Sequence, residues 1–405
     1  MITSIIYVII RRNIGYFMQF STTFIQKPVK EPWLTRFTSQ PHQLFFSSAI
    51  FFALLVMALS AYSLLASSHL DFVLVHSFGL NFALFSNAFL GFLITVMPKY
   101  NNSMSIDSNK YISPWVFYQA GVVIALFVNA SFGKVIVSFV IMYFVFIFFK
   151  IIKNSQVAVK EDSIYINSIL LLGAVFLLIE SVTSYNLSML VFFAYILPMV
   201  YVIALRMVPA FYFSYTKNMP WQKPKFIKPL SIIFLFLVAI SLQFELKILL
   251  QISSFLSASF FGYTIYKLDF FKKTPAILSI LVLGFLWFEF GFIILFIESL
   301  LNIYTLKLSL HIFALGFVTT LLIGFGSRVA MGHSVPPQPI LADKFTIFLF
   351  VLTQVLVLSR IVVSFSFIND INLYSIFLSI TIGLWIVLFL LWLIRYGKTI
   401  LRVGN

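Results

Sequence analysis

No cysteine occurs anywhere in the 405 residues. Disulfides, thiolate nucleophiles, iron–sulfur clusters, thiolate-bound heme and covalent c-type heme attachment are therefore excluded. Any metal must be held by His, Met, Tyr, carboxylate or carbonyl groups. Charge is scarce too. Only 10% of residues are charged, whereas a soluble domain carries roughly a quarter. Acids are the scarcer sign, with 12 Asp and Glu against 27 Lys and Arg, which leaves a formal net charge of +15. The apolar runs show no period-2 alternation, so a membrane barrel is excluded as well.

What the chain has in quantity is hydrocarbon. It is 61% hydrophobic, with 51 Phe residues. A helix needs about 20 apolar residues to cross a hydrocarbon core of about 30 Å. Within lipid every backbone polar group must pair internally, so long apolar runs become helices. Such runs are read at 44–66, 71–97, 113–132, 134–152, 163–183, 187–209, 229–246, 247–267, 275–299, 307–330, 342–365 and 371–396. The break between the seventh and eighth is marked only by Glu245 and Lys247. With the N-terminus placed in the cytoplasm, 23 of the 27 Lys and Arg fall on the cytoplasmic side; Lys134, Lys247, Lys307 and Arg360 fall outside. That asymmetry follows the positive-inside rule. The reading is an all-α polytopic integral membrane bundle of about twelve transmembrane helices with both termini cytoplasmic. Residues 1–43 form a cytoplasmic arm, 44–396 one transmembrane domain, and 397–405 a cytoplasmic tail. The short apolar run of 1–10 before Arg11 and Arg12 lacks the form of a secretory leader and is expected to lie at the interface. The basic excess points to anionic lipid rather than nucleic acid.

Five histidines occur, and the topology sorts them by depth. His76 and His311 lie in the first turns of the second and tenth spans near the outer face, with His69 in the loop before the second span. His42 precedes the first span and His333 follows the tenth, both on the cytoplasmic side. His311 and His333 are 22 residues apart, about 33 Å of helix, and cannot share a site. Imidazole is a common ligand of heme iron, copper and zinc. The plainer reading of each is a polar anchor at the interface. Glu180, Glu289 and Glu298 sit within or near spans five and nine, with Glu289 the deepest. Each is either a proton-handling group or a buried structural one. Arg206 and Arg328 close the sixth and tenth spans. They either anchor helix ends or pair with carboxylates such as heme propionates. Gly91, Gly316, Gly324 and Gly326 are expected to allow close helix packing.

Three patches resemble the NnrS family of membrane proteins. His76-Ser-Phe78-Gly79 followed by Gly91-Phe-Leu-Ile-Thr-Val-Met-Pro98 is similar to its W-H-x-H-E and G-F-L-L-T-A-V-P-N segment. Arg206-Met-Val-Pro209-Ala-Phe-Tyr-Phe-Ser-Tyr-Thr216 resembles G-G-R-x-I-P-x-F-T. His311-Ile-Phe-Ala-Leu-Gly316, running to Ser327-Arg328-Val-Ala-Met-Gly332-His333, resembles H-A-x-x-x-G and T-R-V-x-L-G-H-T-G, with five residues at matching spacing. Pro41-His42 before the first span also looks familial. The chain departs from the pattern in several places. Phe78 and Gly79 stand where the family has a second His and a Glu, Ala204-Leu205 where it has a Gly pair, and Ser334-Val335 where it has Thr-Gly.

The resemblance implies a heme or heme–copper protein of a bacterial inner (plasma) membrane, linked to nitric oxide tolerance or metabolism. It implies heme b held by His76 and His311, with Arg206 and Arg328 as cofactor-binding groups and His42 and His333 as a second metal site. Copper in the outer layer would lose two donors at Phe78 and Gly79. The partners implied are the lipid bilayer, nitric oxide and a membrane electron donor. Whether the protein is an enzyme stays open. A twelve-helix secondary transporter working through midplane polar groups, and a factor that delivers a cofactor to another membrane enzyme, are the alternatives. The gathering of candidates at two faces rather than the midplane argues mildly against transport.

Overall fold

The computed structural model describes residues 32–65, 70–183, 185–217, 221–270, 272–334 and 339–402. His69 and most of the N-terminal arm lie outside them. Among the described residues there are helices and no strands. A short helix, α1 (Trp33–Thr38), precedes twelve long ones. These are α2 (Pro41–Leu65), α3 (Leu74–Tyr100), α4 (Ile112–Phe127), α5 (Ala130–Asn154), α6 (Glu161–Thr183) and α7 (Ser188–Thr216). Then follow α8 (Ile227–Gln243), α9 (Lys247–Leu268), α10 (Ala276–Leu301), α11 (Leu308–Gly332), α12 (Lys344–Asn369) and α13 (Ile371–Ile400). Each predicted span coincides with one long helix. Ten of them are long and apolar enough to cross a membrane; α8, with 17 residues, is apolar but shorter, and α4 has 16. The protein is a polytopic helical membrane bundle.

Local chemistry sets the boundaries. Pro41 occupies the first turn of α2, where its missing N–H costs nothing, so the helix starts before residue 44 and takes His42 into its first turn. The break between the third and fourth spans falls at Val128-Asn129. There the Asn129 side chain accepts from Phe132 N and caps α5. The cap starts α5 at Ala130, four residues before the expected start at Lys134. At the α8–α9 break Glu245 turns left-handed with φ 53°, confirming the weakest boundary. α13 continues past residue 396 to Ile400, so it takes in part of the expected tail.

Three helices form the centre. In α3, α7 and α11 the most apolar stretch is 78%, 83% and 72% buried, against 28–56% for the other seven apolar spans. The same three carry widened π-helical turns: Leu74–Ser86, Val191–Ile196 and Ile312–Thr319. Such turns are rare and often mark functional sites. Here the hydroxyls of Ser86, Thr319 and Thr320 reach back to carbonyls five residues earlier. α7 packs against both α3 and α11, and the space between α3 and α11 holds two cavities. α13 closes the bundle on α2, where Trp385 Nε1 donates to the Ala53 carbonyl at 2.8 Å.

The expected role of glycine in packing holds. A Cβ on Gly316 would lie 2.7 Å from Trp287, and one on Gly91 would lie 2.7 Å from Phe45 and 3.3 Å from the His42 Cα. Gly91 thus lets the start of α2 lie against α3 and sets the place of His42.

Candidate functional site

The end of the bundle that carries the first and last described residues is called inner, the other outer. At the inner end Trp33 Nε1 donates to the Leu401 carbonyl at 2.8 Å, tying α1 to the last turn of α13.

At the outer end the imidazoles of His76 and His311 face each other across the gap between α3 and α11, with ring centres 6.4 Å apart. Phe72 stacks on His76 at 5.0 Å and 16°. His76 Nδ1 is buried without a hydrogen-bond partner. The two rings line a cavity of about 410 Å³, within the usual size of a cofactor or ligand pocket. Asn81, Lys307, Arg360 and Trp385 also line it.

His311 Nδ1 has two neighbours that ask opposite things of it. The Lys307 carbonyl, at 2.9 Å, can only accept; the Arg360 Nη2, at 3.1 Å, can only donate. A proton on Nδ1 satisfies the carbonyl and leaves the Nε2 lone pair free for a metal. A bare Nδ1 satisfies the arginine and puts the proton on Nε2. Leu306 and Lys307 are both left-handed, with φ 53° and 57°. This uncommon turn directs the Leu306 carbonyl to Arg360 (3.0 Å) and the Lys307 carbonyl to His311. Arg360 itself is only 9% exposed. The sequence marked it merely as one of four cations on the outer side. Its signal was a lone arginine within an apolar run, facing against the charge trend.

At the inner end His42 and His333 meet with ring centres 4.4 Å apart, tilted by 51°. His42 is 2% exposed, and neither of its ring nitrogens has a partner. His333 Nδ1 lies 3.0 Å from the Val329 carbonyl. Thus four of the predicted residues come together as two pairs, each joining helices far apart in sequence. Among the described residues no group of three or more His, Asp or Glu gathers at one point.

The other predicted groups go elsewhere. Arg206 donates to Asp162 at 2.8 Å and lies over the Tyr100 ring at 3.8 Å. Arg328 lies over the Phe211 ring at 3.9 Å. Neither makes a hydrogen bond or ring contact with any described histidine. Glu180 pairs with Lys134 at 3.2 Å. Glu298 accepts from Thr305 Oγ1 and from Ser309 N. Glu289 faces Gly262 between α9 and α10, with its Oε2 buried and unpartnered. Phe78 stacks on Phe82 and lines a separate cavity beside Lys134 and Glu180. Gly79 is pressed against Val56, which a Cβ would meet at 2.7 Å.

The structure is a polytopic helical membrane bundle in which histidines from helices distant in sequence pair at each end. The model of the NnrS protein family matches residues 36–403, nearly the whole chain, and the chain belongs to that family. Among curated proteins, none matches it.

Proposed function

We infer that this family member is a multi-pass membrane protein of the nitric oxide response. We propose that it is a heme protein of the bacterial inner membrane that takes part in nitric oxide tolerance or metabolism, in which His76 and His311 would hold the heme. One observation carries this reading: the 6.4 Å between the two ring centres. With metal–imidazole bonds of about 2.0–2.1 Å, two rings at this separation are close enough that both could hold one metal. The donor set fits as well. Two histidines alone are few for a bare zinc ion but suffice for an iron whose other four ligands come from a macrocycle. The cavity beside them supplies room.

In this reading the Lys307 carbonyl holds the His311 proton on Nδ1 and so presents Nε2 to the iron. Phe72 and Trp385 supply flat apolar walls. A heme held by both histidines would supply an iron that passes electrons or senses nitric oxide. A membrane electron donor is the expected partner for any turnover.

Copper fits the inner pair better than the outer one. The ring centres of His42 and His333 are 4.4 Å apart, close enough that the two imidazoles could share one ion. Neither ring nitrogen of His42 is committed to a hydrogen bond, so the ring could give an ion one donor.

The test is an absorption spectrum of the full chain purified in detergent from a heme-replete host, with pyridine hemochrome and copper analysis. A Soret band that is lost in both His76→Ala and His311→Ala is expected. Wild-type protein without a Soret band, or both variants with wild-type heme content, overturns the assignment.

A further inference from the structure

The ion pairs among the described residues take up Lys110, Lys134, Arg206, Lys228 and Arg395. Arg360 is in none of them, although it is the most buried cation of the outer cavity. Its three hydrogen-bond neighbours are all neutral: the Ser364 Oγ at 2.7 Å, the Leu306 carbonyl at 3.0 Å and the His311 imidazole at 3.1 Å. Lys307, the second cation on the cavity wall, is in no ion pair either. No Asp or Glu lines the cavity among the described residues. The nearby Glu298 is committed to Thr305 and Ser309.

A charge withdrawn from water needs a counter-charge, and more so in a membrane. A guanidinium offers five N–H donors in a flat fork, and three neighbours leave part of that fork unused. The fork matches a planar anion with two oxygens. The protein has also fixed the arginine in place. The left-handed turn at Leu306 and Lys307 points a carbonyl at it, and Ser364 holds it from its own helix.

We propose that Arg360, assisted by Lys307, makes the outer cavity a binding site for a planar carboxylate or oxyanion. The anion supplies the negative charge that the cavity wall lacks. Two sources carry that chemistry: the carboxylates of a bound macrocycle, or a free oxyanion entering from the outer end. If the macrocycle supplies the anion, Arg360 would take a carboxylate-pairing role like the one the resemblance implies for Arg206 and Arg328. This inference stands whether or not the two imidazoles hold iron. An anion that draws Arg360 off His311 Nδ1 also leaves that nitrogen free to donate to the Lys307 carbonyl.

The test uses cofactor-depleted full-length protein in nanodiscs, with two probes. The first compares iron protoporphyrin IX with its dimethyl ester, which has no carboxylate charge. If the macrocycle supplies the anion, wild type binds the free acid at least about tenfold more tightly than the ester. Arg360→Gln then removes that preference. The second probe is sodium nitrite, followed by calorimetry. If the anion is free, nitrite binds wild type and not Arg360→Gln. Arg360→Lys, which keeps the charge without the fork, should retain part of either effect, and Lys307→Gln should lose less than Arg360→Gln. Should Arg360→Gln fail to fold, the wild-type comparisons still decide. No preference for the free acid together with no nitrite binding overturns the proposal. So does a folded Arg360→Gln that keeps wild-type affinity for all three probes. A protein that binds neither porphyrin refutes the heme reading alone and leaves nitrite to test the anion site.

Discussion

The two histidine pairs use the same side chain on the same two-helix principle, yet they are different objects. The outer pair, 6.4 Å apart, opens on a cavity of about 410 Å³ with an arginine, a lysine and polar side chains in its wall. The inner pair is 4.4 Å apart, with His42 almost wholly buried and both its nitrogens unpartnered. The outer pair leaves room for something large and anionic. The inner pair leaves room for an ion at most. Two angstroms of separation, set by how α3 and α11 diverge and how closely α2 lies on Gly91, decide between them. Histidine count alone could not have told them apart.

The sharpest way to break the comparison is to exchange the expected losses. His76→Ala or His311→Ala should abolish the Soret band, while His42→Ala and His333→Ala leave heme content at the wild-type level. Heme lost equally from all four variants would mean that the pairs are not distinct sites. Next, elemental analysis should show copper falling to background in His42→Ala and His333→Ala and persisting in His76→Ala. Copper that ignores the inner pair would reduce it to a packing contact, one that leaves unpaired buried nitrogens costing about 1–3 kcal/mol each.

A smaller effect concerns the family residues this chain has replaced. Gly79→Glu should lower stability by about 1–3 kcal/mol through overpacking against Val56, read as a reduced Tm in detergent. Phe78→His should leave heme content unchanged, because residue 78 lines the cavity of Lys134 and Glu180 and not that of His76 and His311. The smallest effect should come from Arg206→Gln. Its partly exposed pair with Asp162 contributes no more than about 1 kcal/mol, and heme content should not move. Reduced heme in that variant would reopen a link between the inner end and the outer site.

Much of this was legible from residues read one helix at a time. The depths of His76 and His311 follow from where their apolar runs begin, and so does their remoteness from His42 and His333. The turn at Asn129 was missed because a side-chain cap is a signal of one residue within an unbroken apolar run. His42 was placed before its helix because the apolar run begins at residue 44, whereas the helix starts at Pro41. Arg206 and Arg328 were assigned by type, since an arginine beside a helix end reads the same whether it faces an aspartate, a phenylalanine ring or a cofactor. Arg360 was counted only as a charge on the wrong side.

The sequence by itself determined that the chain is a helical membrane bundle and which stretches are its helices. Backbone hydrogen bonding and transfer into lipid are local, and hydropathy records them residue by residue. It also determined the family, through short motifs at helix ends. Only the tertiary structure decided which histidines meet, at what separation, and that Arg360 is the cation at the outer cavity. Those facts depend on where α3, α11 and α12 cross. Crossings are set by side-chain packing among helices distant in the chain, which no periodicity within one helix records.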